Sequence, residues 1–379
     1  MLRSDTTKRY AGRHTGFAVA VVSTFTFAAA PPAYPGARLV GDLPRATNTP
    51  LESLPGVDTE YGVLNTSDGA KLRTLVTRPQ GRNGRLPAVQ FVQWLSCDSI
   101  EIAPGAQDGW SRMLRRLVTD SGALVLRTEK SGVGDSQRGP ACSALDYDTE
   151  LADHRGALRY LRARPDVDPQ KIVIFGASMG ATYAPLVARN ERVAGVIVWG
   201  GGARTWYERQ LAFDRRAMEL SGRPATELSQ AMLLHAEFQW LYLQERLTPG
   251  EIAKRRPDLA GVWSEIVGTS ADLHYGRPFA FHWQAQRQDW AAAWSQVNAP
   301  VLVLLGEYDW FEDPRSAELI ARIVNARVPA SAQFHLIPGL NHHFALYPSA
   351  EAAFKEQGGQ PAADRAMDVL IPWLRRRLE

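Results

Sequence analysis

Lys171–Gly180 reads KIVIFGASMG, an apolar β-branched run that breaks into Gly-x-Ser-x-Gly with Ser178 at its centre. The run has the pattern of a buried strand, and the glycine-flanked serine predicts a sharp turn into the helix-compatible stretch ATYAPLVARN at 181–190. A serine in such a turn is held in a strained backbone conformation with its hydroxyl projecting above the sheet, the posture of a nucleophile. Gly176 and Gly180 fit that geometry, because a Cβ two residues to either side collides where strand and helix backbones converge. Ala177 and Ala181 keep the surroundings small. The same five residues also arise by chance in glycine-rich turns, so the weight comes from the strand before them and the helix after them.

Outward from this turn the chain repeats one theme. PAVQFVQW (87–94), GALVLRT (122–128), AGVIVWG (194–200), PVLVLLG (300–306) and AQFHLIP (332–338) are short apolar runs followed by helical or loop segments, as buried parallel strands are. Upstream, two β-patterned runs surround Ser67-Asp68-Gly69 and predict a hairpin. With 171–176 this makes eight strands. DGWSRMLRRLVTD (108–120) and DYDTELADHRGALRYLRAR (146–164) have the length and periodicity of crossover helices, and Asp313-Pro314 reads as the capped start of another. The closing helix at AADRAMDVLIPWLRRRLE is expected to kink at Pro372. The expected fold class is α/β, a mostly parallel eight-stranded sheet flanked by helices.

Strand patterning disappears over 203–296, where helical periodicity is broken at Gly222-Arg223-Pro224, Thr248-Pro249-Gly250 and Gly276-Arg277-Pro278. This predicts a helical cap insertion at 203–296, splitting a core of 58–202 and 297–379. Six of the eleven tryptophans fall in it, expected mainly to pack its own small core, with one or two free to line a substrate pocket. Residues 31–57 read as a Pro-rich connector.

Residues 1–30 place Arg3, Lys8, Arg9 and Arg13 ahead of the uncharged run GFAVAVVSTFTFAAA, the layout of a secretory signal peptide. Its apolar run is shorter than the roughly 20 residues a membrane span needs, so a stable membrane anchor is not expected. With Asp5, those four cations carry the whole formal charge of +3, leaving the body of the chain balanced. A balanced body offers nucleic acid no electrostatic footing. The hydrophobic fraction of 45% in 379 residues supports a full core and excludes a disordered chain. The expected location is secreted or periplasmic. Cys97 and Cys142, the two cysteines, are expected to pair in that oxidising compartment, the alternative being two buried thiols. Their spacing fits no zinc site, and neither metal nor cofactor is expected. Oligomeric state is not encoded in any pattern here.

A serine nucleophile needs a base, usually histidine oriented by a carboxylate. Of the eight histidines, His14 lies in the leader, His154 in a crossover helix, His235, His274 and His282 in the insertion and His335 in a strand. His342 and His343 remain, in PGLNHHF directly after the last strand, where functional groups of open α/β sheets gather. The loop after PVLVLLG offers Glu307, Asp309, Glu312 and Asp313. Asp309 is favoured as the acid, Glu307 is its main competitor, and Asp313 is accounted for as a helix cap.

The chain resembles the α/β hydrolases of the serine esterase and serine aminopeptidase type, from about residue 58 to its end. The resemblance rests on GASMG around Ser178, GEYD ending in Asp309, GLNHHF containing His342, RTEKSGVGDS (127–136), and the order Ser, Asp, His. It implies a Ser178, His342, Asp309 triad, His342 being the first histidine after the Gly-x-Asn pair. It also implies an oxyanion hole from the N–H groups of Met179 and of Leu95, with Trp94 as the alternative donor. One departure stands out: Gln93-Trp94 replaces the His-Gly usual after the third strand. A Cys97–Cys142 bridge would pin this altered loop to the one after the next strand. The expected activity is hydrolysis of carboxylic esters of a small-molecule acyl substrate. The alternatives are an aminopeptidase-type serine peptidase and a non-catalytic binding protein.

Overall fold

Alternation along the central strands sorts their side chains onto two faces, and each face is covered by helices. The computed structural model describes residues 36–379; the leader expected at 1–30 lies outside the described residues. β1 (Ala37–Leu39) comes first, then the hairpin β2 (Val57–Asn65) and β3 (Lys71–Pro79), turning at the expected Ser67–Gly69. β4 (Leu86–Val92), α1 (Gly109–Asp120), β5 (Leu124–Thr128), α2 (Tyr147–Ala163), β6 (Val167–Ala177), α3 (Gly180–Ala188) and β7 (Gly195–Trp199) then alternate. Asp108 and Asp146 cap α1 and α2, each side chain accepting a backbone N–H three residues on.

Between β7 and the next sheet strand the chain is helical: α4 (Trp206–Leu220), α5 (Ala225–Leu243), α6 (Pro249–Arg255), α7 (Val262–Glu265), α8 (Phe279–Gln286) and α9 (Trp290–Ser295). A two-stranded ribbon, β8 (Leu273–His274) and β9 (Arg277–Pro278), interrupts them. Capping boxes start α4 at Thr205 and α6 at Thr248; the predicted break at 222–224 separates α4 from α5, that at 248–250 is the start of α6, and that at 276–278 falls in the ribbon before α8. Trp290 and Trp294 are buried, whereas Trp240 is half exposed.

β10 (Val301–Gly306), α10 (Pro314–Arg327) and β11 (Ala332–Ile337) complete the sheet, followed by the short ribbon of β12 (Ala345–Leu346) and β13 (Gln360–Pro361), with α11 (Ala350–Phe354) between its strands, and by α12 (Asp364–Leu378). Helix α12 runs through Pro372 without interruption. The sheet order is β1-β2-β3-β5-β4-β6-β7-β10-β11, antiparallel at β2/β3 and β3/β5 and parallel elsewhere. Val89, Phe91, Val173, Phe175, Leu302 and Leu304 meet α1 and α12 on one face. Ala88, Val92, Ile172, Ile174, Val301 and Val303 meet α2, α3, α9 and α10 on the other.

The sheet has nine strands where eight are predicted. The extra strand is β1, three residues of the expected connector that pair parallel with Thr59–Tyr61 of β2. The rest of that connector is also tied to the core: the buried Glu52 carboxylate receives both Nη groups of Arg127, at 2.6 and 2.9 Å, and the N–H of Ile102 at 2.7 Å.

Candidate active site

Everything expected of the turn after β6 depends on close backbone approach. Ser178 adopts φ of 57°, a left-handed conformation that a residue with a Cβ rarely accepts, and its N–H donates to the Trp199 carbonyl at 2.8 Å. A Cβ on Gly180 would fall on the Val92 carbonyl oxygen and one on Gly176 on that of Gly180, so neither position tolerates a side chain. The Ser178 side chain stands at the carboxyl end of the parallel strands with the N-terminus of α3 directly behind it.

His342 reaches Ser178 from the loop after β11. Its Nε2 lies 2.8 Å from Ser178 Oγ and its Nδ1 lies 2.6 Å from Asp309 Oδ2. The loop is held by two side chains. Trp199 Nε1 donates to the His342 carbonyl at 2.9 Å, and Asn341 Oδ1 accepts the N–H groups of His343 and Ala345 at 3.0 Å. Gly200, with φ of 64°, leaves room for the imidazole: a Cβ there would stand 2.6 Å from His342 Cε1. Asp309 Oδ1 accepts from the N–H groups of Phe311 and Glu312, which fixes the carboxylate edge-on to the imidazole. Burial pushes the Asp309 carboxyl up, but the adjacent imidazole and these amides outweigh it and hold it below its ordinary value. Glu307 points away and accepts the Gly339 N–H at 2.8 Å, while Asp313 caps α10 and pairs with Arg204.

His343, beside His342, is a different kind of group. Burial, then the neighbouring His342, lowers it to about 4, so it is a neutral imidazole between Trp110 and Phe311.

The loop after β4 carries Trp94 and Leu95 past Ser178 and is fastened at almost every residue. Lys130 Nζ donates to the Trp94 carbonyl and, at 2.8 Å, to that of Ser96. Arg277, from β9, donates twice to the Leu95 carbonyl, at 2.7 and 3.1 Å, and once to that of Cys142 at 2.6 Å. Glu129 holds Ser99 and the Ile100 N–H, and a Cys97–Cys142 disulfide joins this loop to the one after β5. The N–H groups of Met179 and Leu95 meet no acceptor among the described residues.

A family model for the alpha/beta hydrolase fold matches residues 103–348. The chain belongs to the α/β hydrolase family. A curated relative, the polyketide transferase claH of Penicillium crustosum, is 28% identical over 132 residues, 34% of this chain and 39% of that protein. The chain thus matches well under half of that relative's length. Among solved structures, carboxyl esterase 2 of the fungus Tuber melanosporum superposes with a TM-score of 0.53 at 14% identity, covering 88% of this chain and 90% of that one. A hypothetical protein, PA2218, from Pseudomonas aeruginosa gives the same score and identity over 90% of this chain and 99% of its own. At such identities the likeness is one of fold.

In this α/β hydrolase, Ser178, Leu95 and His342 border a pocket of about 720 Å³. Its walls are aromatic: Trp94, Trp110 and Phe311 from the core, Trp206, Phe213 and Tyr275 from the helical segment. Arg209, paired with Glu312 at 2.5 Å and lying against both Trp206 and Trp290, is the one Lys or Arg side chain among the described residues of the lining. Sequence reasoning did not single out Trp110, Arg209, Lys130, Glu150 or Arg277. Trp110 opens a helix that reads as an ordinary crossover, and the four charged residues look like solvated charges until the fold buries them.

Proposed function

We propose that the protein is an exported serine hydrolase that cleaves carboxylic esters through an acyl-enzyme on Ser178. The observation that carries this reading is the continuous hydrogen-bond chain from Ser178 Oγ through His342 to Asp309, opening onto an aromatic pocket. Ser178 Oγ bonds to the ester carbonyl carbon while His342 Nε2 takes the hydroxyl proton. Asp309, kept ionised, holds the imidazole by Nδ1 and compensates its charge. The carbonyl oxygen becomes an oxyanion beside the N–H groups of Met179 and Leu95. Collapse expels the alcohol, which takes the proton from His342, and water repeats the sequence to release the acid. The apolar walls suit a hydrophobic acyl or alcohol group.

Residues 1–30 are read as the export segment and 203–296 as a cap over the pocket; the disulfide supports an oxidising destination. No helix of the described residues is long and apolar enough to cross a membrane.

The test is a purified wild type and Ser178→Ala compared on acyl esters of graded chain length, on aminoacyl anilides, and with a fluorophosphonate probe. Wild type should turn over esters and be labelled, and Ser178→Ala should lose about 10⁶-fold in kcat together with the label. Faster anilide than ester turnover would move the reading to the aminopeptidase type, and an unlabelled, inactive wild type to a binding protein. N-terminal sequencing of the exported chain should begin near residue 31; an intact Met1 there would remove the export segment.

A further inference from the structure

At Gln93-Trp94 the loop after β4 has no glycine that would let it bend freely, and its path there is set instead by a buried charge cluster. Three consecutive carbonyls, those of Trp94, Leu95 and Ser96, are taken by two side chains, Lys130 and Arg277. Both side chains are essentially inaccessible, as is Glu150 from α2, which lies 3.4 Å from Lys130 Nζ and 3.0 Å from Arg277 Nη2 without a straight hydrogen bond to either. Two cations thus share the one Glu150 carboxylate directly behind the loop.

In a trans peptide the C=O and the following N–H point in opposite directions, and every described peptide is trans. Anchoring the Trp94 carbonyl on Lys130 therefore turns the Leu95 N–H away from Lys130, toward the pocket that Leu95 lines. The Gln93 carbonyl packs against Gly180 at the start of α3, which turns the Trp94 N–H away from the serine turn. Arg277 fixes the next peptide from its other end and belongs to the helical segment, so the loop is oriented jointly by the core and by that segment.

We propose that Lys130 and Arg277, tied together by Glu150, are positioning residues that aim the Leu95 N–H at the developing oxyanion and favour its charge. They replace by side-chain anchoring what a glycine-bearing loop achieves by conformational freedom. A preorganised donor acts on the transition state and not on the bound substrate, so its loss falls on kcat. The proposal rests on Ser178 acting on an ester.

The experiment measures kcat per active site, counted by the completed fluorophosphonate reaction, and KM in wild type, Lys130→Met and Arg277→Lys. It adds affinity for a trifluoromethyl ketone, which forms an oxyanion adduct, and substrate affinity in a Ser178→Ala background. Lys130→Met should lose about 10²-fold in kcat with KM within about threefold, and ketone affinity should fall by a similar factor while substrate affinity in Ser178→Ala/Lys130→Met is unchanged. Arg277→Lys keeps the charge beside Glu150 but not the two-point hold on Leu95, and should lose about tenfold in kcat without a change in melting temperature. It carries the test if Lys130→Met does not fold. Unchanged kcat per site in the folded variants, or equal losses of ketone and substrate affinity, overturns the positioning role. An inactive, unlabelled wild type overturns instead the ester-hydrolase reading on which it rests.

Discussion

Two carboxylates leave the tip of β10, and only one of them meets the imidazole. Asp309 folds back under two backbone amides and accepts from His342, while Glu307 closes the turn at Gly339. Asp309→Asn should therefore drop kcat about 10⁴-fold through the wrong imidazole tautomer, with Glu307→Gln within about twofold of wild type. Steady-state kinetics on an ester substrate separates the two, and a comparable loss in Glu307→Gln would reassign the acid. That Ser178, Asp309 and His342 meet in one hydrogen-bond chain could be anticipated because each sits just past a strand end inside a short local pattern. Lys130, Glu150 and Arg277 belong to three different elements and form a cluster only after folding, and buried Lys and Arg carry the same local pattern as solvated ones.

Elements show the same division. Helix α10 starts where its Asp313 cap predicts, since capping is a contact between near neighbours in sequence. Strand β1 was not legible, because three residues between turn formers carry no periodicity and pair only because β2 offers an open edge. The expected kink at Pro372 does not end α12, whose apolar face is fastened against the sheet through Leu370, Ile371, Trp373 and Leu374. The disulfide links the loop after β4 to the 3₁₀ turn at Cys142, closing 45 residues of chain. Cys97→Ser/Cys142→Ser should cost about 2–4 kcal/mol, read from urea unfolding, and should lower kcat because the Leu95 loop loses one of its anchors. Wild-type kcat in the folded double variant would show that the side-chain anchors suffice without the bridge.

At the scale of the whole molecule, acid tests how many histidines the fold keeps neutral. Burial lowers His154, His282 and His343 to about 4 and His274 well below its ordinary value, whereas an unfolded chain titrates them near 6.5. Between pH 6.5 and 4 the unfolded state binds protons that the folded state refuses, so stability falls as pH falls. Glu129 and Asp153, raised to about 7 by burial, work in the opposite sense, and the histidines outnumber them. Asp309, a depressed carboxyl, adds its own loss only below 3.8, as pH falls through its lowered value. The melting temperature should decline steadily from pH 6.5 to 4, and His154→Phe should decline less steeply; a flat wild-type profile would contradict the neutral assignment. Arg277 has one more implication at this scale, for evolution and engineering. Helical segments spliced into a sheet scaffold are attractive modules to exchange, since they shape a pocket while the chemistry stays below. Here a side chain of the spliced segment grips the scaffold's own backbone in the loop that passes Ser178. A chimera that imports another segment will inherit a new pocket and a misaligned scaffold together, unless an arginine is grafted back at the equivalent of position 277.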